Sequence, residues 1–324
     1  MIIILIASLI VFSFLLIKSA DITVIAIKRL SDSFHAKSFA IAAIILSLGT
    51  SFPEIFVGAT SAIEGTPQLA LGVVLGSNIA NLSLIVGLGA LSAGTVYVRG
   101  EFLRRDLWIS LVSGLAPIIT LADGIISRAD GIILLGIYLA YTTSFFKKKY
   151  IEIGKSQEMD EQLHRFLRRL NTVSKSRRHL VRLVVGLTLL LISADILVRT
   201  ASALADQLSI PVFIVGLVIV AIGTSLPELA FSFRSLRTHA SGMFFGNLLG
   251  SVIANSTLII GIASLIRPIR VFTIDKYLIA AVTLVLISLL LWFFIRTKRR
   301  LDWWEAVLLI AVYLIFVVIE VIHF

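Results

Sequence analysis

Two carboxylates stand where a chain this apolar should carry none. Glu54 closes the segment Gly49-Thr50-Ser51-Phe52-Pro53-Glu54, and Glu228 closes Gly223-Thr224-Ser225-Leu226-Pro227-Glu228. Each segment lies inside a hydrophobic stretch long enough to cross a bilayer. An acid at that depth is costly and demands a cation, a proton or a partner. The neighbouring proline has no N–H and its ring clashes with the preceding turn, so each helix is interrupted near its glycine. Carbonyls released there can turn toward a cation. Thr50 and Ser51, like Thr224 and Ser225, lie within about one turn of the acid and add hydroxyl oxygens. Transporters build sites at membrane depth from such broken helices. A plain proline kink accounts for Gly-Thr-Ser-x-Pro but leaves both glutamates unexplained.

A second polar layer follows in Gly76-Ser77-Asn78-Ile79-Ala80-Asn81 and Gly250-Ser251-Val252-Ile253-Ala254-Asn255. Ser77 and Asn81 share a helix face, as do Ser251 and Asn255, and offer neutral oxygens. Hydrogen bonding between helices is the alternative use of the asparagines. Gly72, Gly76, Gly246 and Gly250 form small-xxx-small patches and are read as helix packing, not as ligands. Two carboxylates, several hydroxyl and amide oxygens and released carbonyls make a hard-oxygen set. Such a set suits Ca2+ better than zinc or copper. The histidines (His35, His164, His179, His239 and His323) fall in expected loops or at the chain end and are read as bystanders. With no cysteine, disulfides, thiolate metal sites and cysteine nucleophiles are absent.

The elements that must position these groups come in two copies. Thr224 lies 174 residues after Thr50, since 224 − 50 = 174. The same step links Asp21 to Asp195, Glu54 to Glu228, Ser77 to Ser251 and Asn81 to Asn255 without a gap. Matching hydrophobicity alone would not align rare polar residues this way, so the chain is internally duplicated.

The hydrophobic share of 58% and the mean hydropathy of +1.02 exclude an ordinary water-soluble domain, whose apolar share is about 45–50%. Long apolar runs, not short alternating ones, exclude a β-barrel. The fold class predicted is an all-α polytopic membrane protein with ten transmembrane helices. Approximate limits are 2–27, 38–63, 69–94, 106–122, 130–146, 180–204, 210–234, 243–266, 274–295 and 303–322. Residues 1–146 form the first five-helix repeat, 147–179 a basic linker and 180–324 the second repeat. The first span resembles a secretory leader, but it lacks a basic start. Its Ser19-Ala20-Asp21 also returns as Ser193-Ala194-Asp195, so it is expected to be a permanent helix.

The net charge of +10 comes from loop Lys and Arg rather than from any domain that would bind nucleic acid. Basic residues place the 147–179 linker in the cytoplasm and both termini outside, in a cell (plasma or inner) membrane. Leu163, Phe166, Leu167 and Leu170 within the linker fit either a short amphipathic helix on the anionic leaflet or a solvated connection. Arg267, Arg270 and Lys276 object, because their loop would face out. Five is an odd number, so the second repeat enters the membrane inverted relative to the first.

The paired GTSxPE segments, each followed by G-S-x-I-A-N, resemble the α-repeats of the cation/calcium antiporter superfamily, in its Na+/Ca2+ exchanger branch. The resemblance covers nearly the whole chain. It implies Ca2+ exchange by alternating access, with spans 1 and 6 sliding against a core of the others. It implies the ligands Thr50, Ser51, Glu54, Ser77, Asn81, Thr224, Ser225, Glu228, Ser251 and Asn255, with the carbonyls of Ser47 and Ala221 as further ligands. Two departures stand out. Asn255 replaces an Asp found in some archaeal and K+-dependent relatives, which argues against K+ dependence. Val252 stands where the first repeat has Asn78. H+/Ca2+ exchangers resemble the chain less, so Na+ is the favoured counter-ion and H+ the alternative.

No cofactor or obligate protein partner is expected. The transported ions are Ca2+ and Na+ (or H+), and the surroundings are lipid. A cation channel would need no counter-ion and usually forms around an oligomer axis. An intramembrane enzyme would need a nucleophile or an acid–base pair. The remaining membrane acids, Asp21 and Asp195, are expected near helix ends, where snorkelling to the interface explains them.

Overall fold

A computed structural model describes residues 2–33, 51–97, 101–152, 176–237, 241–271, 274–298 and 300–322. The chain is mostly helical. In order it forms α1 (Ile2–Ser33), α2 (Phe52–Ile63), α3 (Pro67–Ala93), β1 (Val96–Tyr97), α4 (Glu101–Thr120), β2 (Ile125–Ile126) and α5 (Arg128–Glu152). Then follow α6 (Ser176–Leu208), α7 (Val212–Arg237), α8 (Ser241–Ile266), β3 (Ile269–Arg270), α9 (Ile274–Lys298), β4 (Arg300–Leu301) and α10 (Trp303–Ile322). Among the described residues, 7 helices are long and apolar enough to cross a membrane, and Phe52–Ile63 and Leu107–Thr120 are shorter apolar helices. Ser47, Thr50, most of the expected linker (153–175), His35, His164, His239 and His323 lie outside the described residues.

Several expectations shift. α5 continues to Glu152 and α6 begins at Ser176, so helix occupies both ends of the expected linker. His179 is not in a loop. It sits in the first turns of α6 and is buried, because that helix starts earlier than its hydrophobic run suggests. Asp195 lies well inside α6 and pairs with Arg199 at 3.0 Å. Arg199 in turn reaches Glu64, beyond α2, at 2.9 Å. Both pairs are largely exposed and hold little stability.

α1 and α6 run along each other. Ser8 meets Thr200, and Thr23 packs on Gly186, so the two helices are antiparallel. They dock on the rest through their own apolar cluster, in which Leu9 and Leu16 of α1 and Leu190 and Leu197 of α6 meet Val57, Leu69 and Val215. A second, larger cluster joins α3, α4, α8, α9 and α10, with Leu75, Phe244, Phe245 and Leu284 at full burial. The outer side of α1 shows Ile3, Ile4, Ile10 and Phe14, an apolar face of the kind lipid covers.

α3 is the most enclosed helix, and its glycines explain how. A Cβ on Gly72 or Gly76 would strike the carbonyls of Phe213 and Leu217, so α7 lies directly on the α3 backbone. The expected packing role therefore holds for this pair. Gly246 meets nothing within 4 Å among the described residues. Between α2 and α3 the chain turns at Gly65, whose φ of +91 suits glycine alone.

Two short ladders tie the chain across its length. β1 pairs antiparallel with β4 (Val96 with Leu301) and β2 with β3 (Ile126 with Ile269). The backbone of Arg270, one of the basic residues that object to the topology, pairs in the second ladder and its carbonyl accepts from Gln68 at 3.0 Å, while the residue itself is exposed.

Candidate functional site

Helix α7 stops and restarts at Ser225, whose φ −84, ψ 2 leave the helical basin for the bridge region. Ser51, one repeat earlier, has φ −90, ψ 2 at the start of α2. The physical cause follows two residues on. Pro227 has no N–H to return to the Gly223 carbonyl, and its ring crowds that turn. Glu54 thus lies in the first turn of α2, and Glu228 in the first turn after the α7 break. There the aligned backbone dipoles favour a negative charge that burial otherwise opposes.

Both glutamates are 1% exposed. Neither Glu54 oxygen has a hydrogen-bond partner among the described residues. Ser51, Ser77, Asn81, Thr224, Ser225, Ser251 and Asn255 are buried as well. The halves interlock: Ser51 Oγ of α2 stands 3.5 Å from Ser251 Oγ of α8, and Ser77 Oγ of α3 stands 3.5 Å from Thr224 Oγ1 of α7. α1 reaches the α7 break, where a Cβ on Gly223 would lie 2.8 Å from Ser13 Oγ.

The Ala221 carbonyl is already engaged. It accepts from the Ser225 N–H at 3.1 Å and from Thr224 Oγ1 at 3.3 Å. Both of its lone pairs are thus taken up in this structure. Thr224 would have to rotate away to free it.

Features that sequence reasoning missed surround the asparagines. Asn81 opens a π turn, Asn81–Ile85, and Asn255 sits in another, Ala254–Ile259. A π turn inserts a residue, widens the helix and shifts the faces that follow. In each, a hydroxyl donates to the carbonyl four residues back: Ser83 to Ile79, and Thr257 to Ile253. The only signal in the sequence is the matching Ser and Thr, unremarkable in a helix. Asn78 and Ser256 belong to this layer too, though neither is among the expected ligands. Asn78 donates to Ser256 Oγ at 2.7 Å and accepts from the Asn255 amide at 3.2 Å.

No group of three or more His, Cys, Asp or Glu residues converges among the described residues. The site is therefore two carboxylates within a layer of neutral oxygens. Glu305, also buried, is engaged at the α9–α10 corner, by Lys298 at 3.5 Å and by the Asp302 N–H at 2.9 Å.

A helical membrane protein whose broken helices bury paired acids in an oxygen-rich layer has the construction of a cation transporter. The family is now definite. The chain belongs to the sodium/calcium exchanger protein family, which matches residues 4–147 and 178–322. It thus falls within the cation/calcium antiporter superfamily, among transporters rather than enzymes. It is 34% identical to the inner membrane protein YrbG of Escherichia coli (strain K12), over 81% of this chain and 80% of that one. It is 28% identical to the sodium/calcium exchanger MaX1 of Methanosarcina acetivorans, over 94% of this chain and 95% of that one. Its fold is similar to the solved structure of the sodium-calcium exchanger NCX_Mj soaked with Na+ and Sr2+, at TM-score 0.61 and 28% identity, covering 98% of this chain and 99% of that one.

Proposed function

We propose that the chain is a secondary antiporter that exchanges Ca2+ for Na+ by alternating access. Its ten membrane helices form two inverted repeats of five, with the ion site between them at the membrane midplane. The ligands are Thr50, Ser51, Glu54, Ser77, Asn81, Thr224, Ser225, Glu228, Ser251 and Asn255, joined by the Ser47 and Ala221 carbonyls once Thr224 turns. One observation carries the reading: α7 breaks at Ser225, Ser51 has nearly the same backbone angles 174 residues earlier at the start of α2, and a buried glutamate follows each about one turn on.

The antiparallel contact of α1 with α6 supports the inversion, since equivalent helices of inverted repeats must run oppositely. The separate apolar cluster beneath this pair supports a sliding layer. Ca2+ and Na+ as cargo rest on the hard-oxygen set and on relatives named as sodium/calcium exchangers. The protein sits in the cell membrane with both termini outside and the 153–175 segment in the cytoplasm.

Reconstitution in vesicles tests the exchange. Ca2+ uptake should follow an outward Na+ gradient and stop when Na+ is replaced by choline. Uptake driven only by a pH gradient would make the counter-ion H+. Uptake with no counter-ion gradient at all would mean a channel.

A further inference from the structure

The two repeats carry the same Ser and Asn, yet the structure treats the two asparagines differently. Asn255 donates its amide N–H to Asn78 Oδ1 at 3.2 Å, and Asn78 passes its own N–H to Ser256 Oγ at 2.7 Å. All three residues are buried, at 1%, 0% and 0% exposure. The Oδ1 of Asn255 is left with no partner among the described residues. Asn81 has no such brace: neither its Oδ1 nor its Nδ2 has a partner among them. The reason is in the sequence. Asn78 answers to Val252 in the other repeat, and valine can neither donate nor accept.

A primary amide has one end that attracts a cation and one that repels it. A buried asparagine is a dependable cation ligand only if something holds the N–H2 away. The relay can run in two directions, because the Ser256 hydroxyl donates as readily as it accepts. Run one way, Asn78 accepts from Asn255 and leaves the Asn255 carbonyl oxygen available. Run the other way, Ser256 donates to Asn78, Asn78 donates to Asn255, and the Asn255 N–H2 is presented instead. The structure holds the first arrangement, the one that admits a cation.

We propose that Asn78, anchored by Ser256, is the positioning residue that orients the Asn255 carbonyl as a cation ligand, and that Asn81 has no equivalent among the described residues. This rests on the ion-site reading above and adds an asymmetry to it. One arm of the site is pre-oriented, and the other turns to suit the ion. The brace crosses from α3 to α8, so it also couples the two repeats at the site.

The test is a double-mutant cycle on the full chain in reconstituted vesicles, reading KM and kcat for Ca2+ uptake. Asn78→Val should raise the Ca2+ KM by about tenfold, the scale of one lost hydrogen bond in a ligand's support, with kcat changed less than about twofold. Asn255→Ala should raise KM at least as much. The double variant should be no worse than Asn255→Ala alone, because Asn78 acts only through Asn255. Should Asn78→Val fail to fold, Ser256→Ala removes the anchor at little steric cost and should raise KM in the same direction.

Effects of Asn78→Val and Asn255→Ala that simply multiply would overturn the proposal, since Asn78 would then act elsewhere. So would an unchanged KM in Asn78→Val and Ser256→Ala beside an impaired Asn255→Ala, and in that case the ion site itself would stand. A wild-type KM in Asn255→Ala would remove Asn255 from the site and the brace with it.

Discussion

Glu54 and Glu228 share a predicament and a remedy. Each is 1% exposed, and each occupies the first turn of a helix, Glu54 in α2 and Glu228 after the α7 break. That environment softens the loss of water but does not replace a counter-charge. Replacement by glutamine keeps the shape and removes one of two charges available to a divalent ion. Glu54→Gln and Glu228→Gln are each expected to cut Ca2+ uptake in vesicles about 100-fold or more. Purified Glu54→Gln should keep the melting temperature of the parent without Ca2+, or exceed it, because neither Glu54 oxygen has a hydrogen-bond partner among the described residues. Near-normal uptake in either variant would disprove the ion site.

At the scale of elements, the α7 break depends on one missing N–H. Pro227→Ala returns a donor to the Gly223 carbonyl and lets the helix run on through Ser225. A proline inside a helix costs about 3 kcal/mol, so this variant should melt higher while its Ca2+ KM rises several-fold. A higher melting point with unchanged transport would mean the break serves no ion. Helix contact gives a second expectation. Gly72→Ala drives a methyl into the Phe213 carbonyl and should cost about 1–3 kcal/mol, read as a lower melting temperature. Gly246→Ala, with open space around it among the described residues, should be neutral and serves as the matched control.

These elements are unequally legible in the sequence. The break at Ser225 and the helix start after Ser51 can be placed to the residue because proline acts locally and covalently. The π turns around Asn81 and Asn255 cannot. A Ser or Thr hydroxyl bonds the carbonyl four residues back in each, yet Val215–Val220 in α7 forms the same kind of turn with no hydroxyl, so the residue types do not announce it. The contact between Asn78 and Asn255 is equally invisible, since it joins residues 177 apart that share no motif register. In the sequence Asn78 shows only as a mismatch with Val252. His179 departs from expectation because the polar start of α6, Ser-Arg-Arg-His, reads as linker until tertiary contacts bury it.

For the molecule as a whole, the duplicated sequence becomes a pair of helices, α1 and α6, laid antiparallel over the remainder on a cluster of their own. Topology is the property most open to direct trial, since the native chain has no cysteine. Ser156→Cys in the 153–175 segment should resist an impermeant thiol reagent in intact cells and react once the membrane is opened. Labelling from outside would reverse the proposed orientation. The ladders β1–β4 and β2–β3 bear on how such a molecule is made. Val96 pairs with Leu301, and 301 − 96 = 205 residues separate them. At about 5–20 residues per second, a ribosome needs roughly 10–40 s to deliver the partner of a strand it has already released. Throughout that interval the first half waits in the membrane with an unclosed edge, and a chain cut short anywhere before residue 300 never closes it.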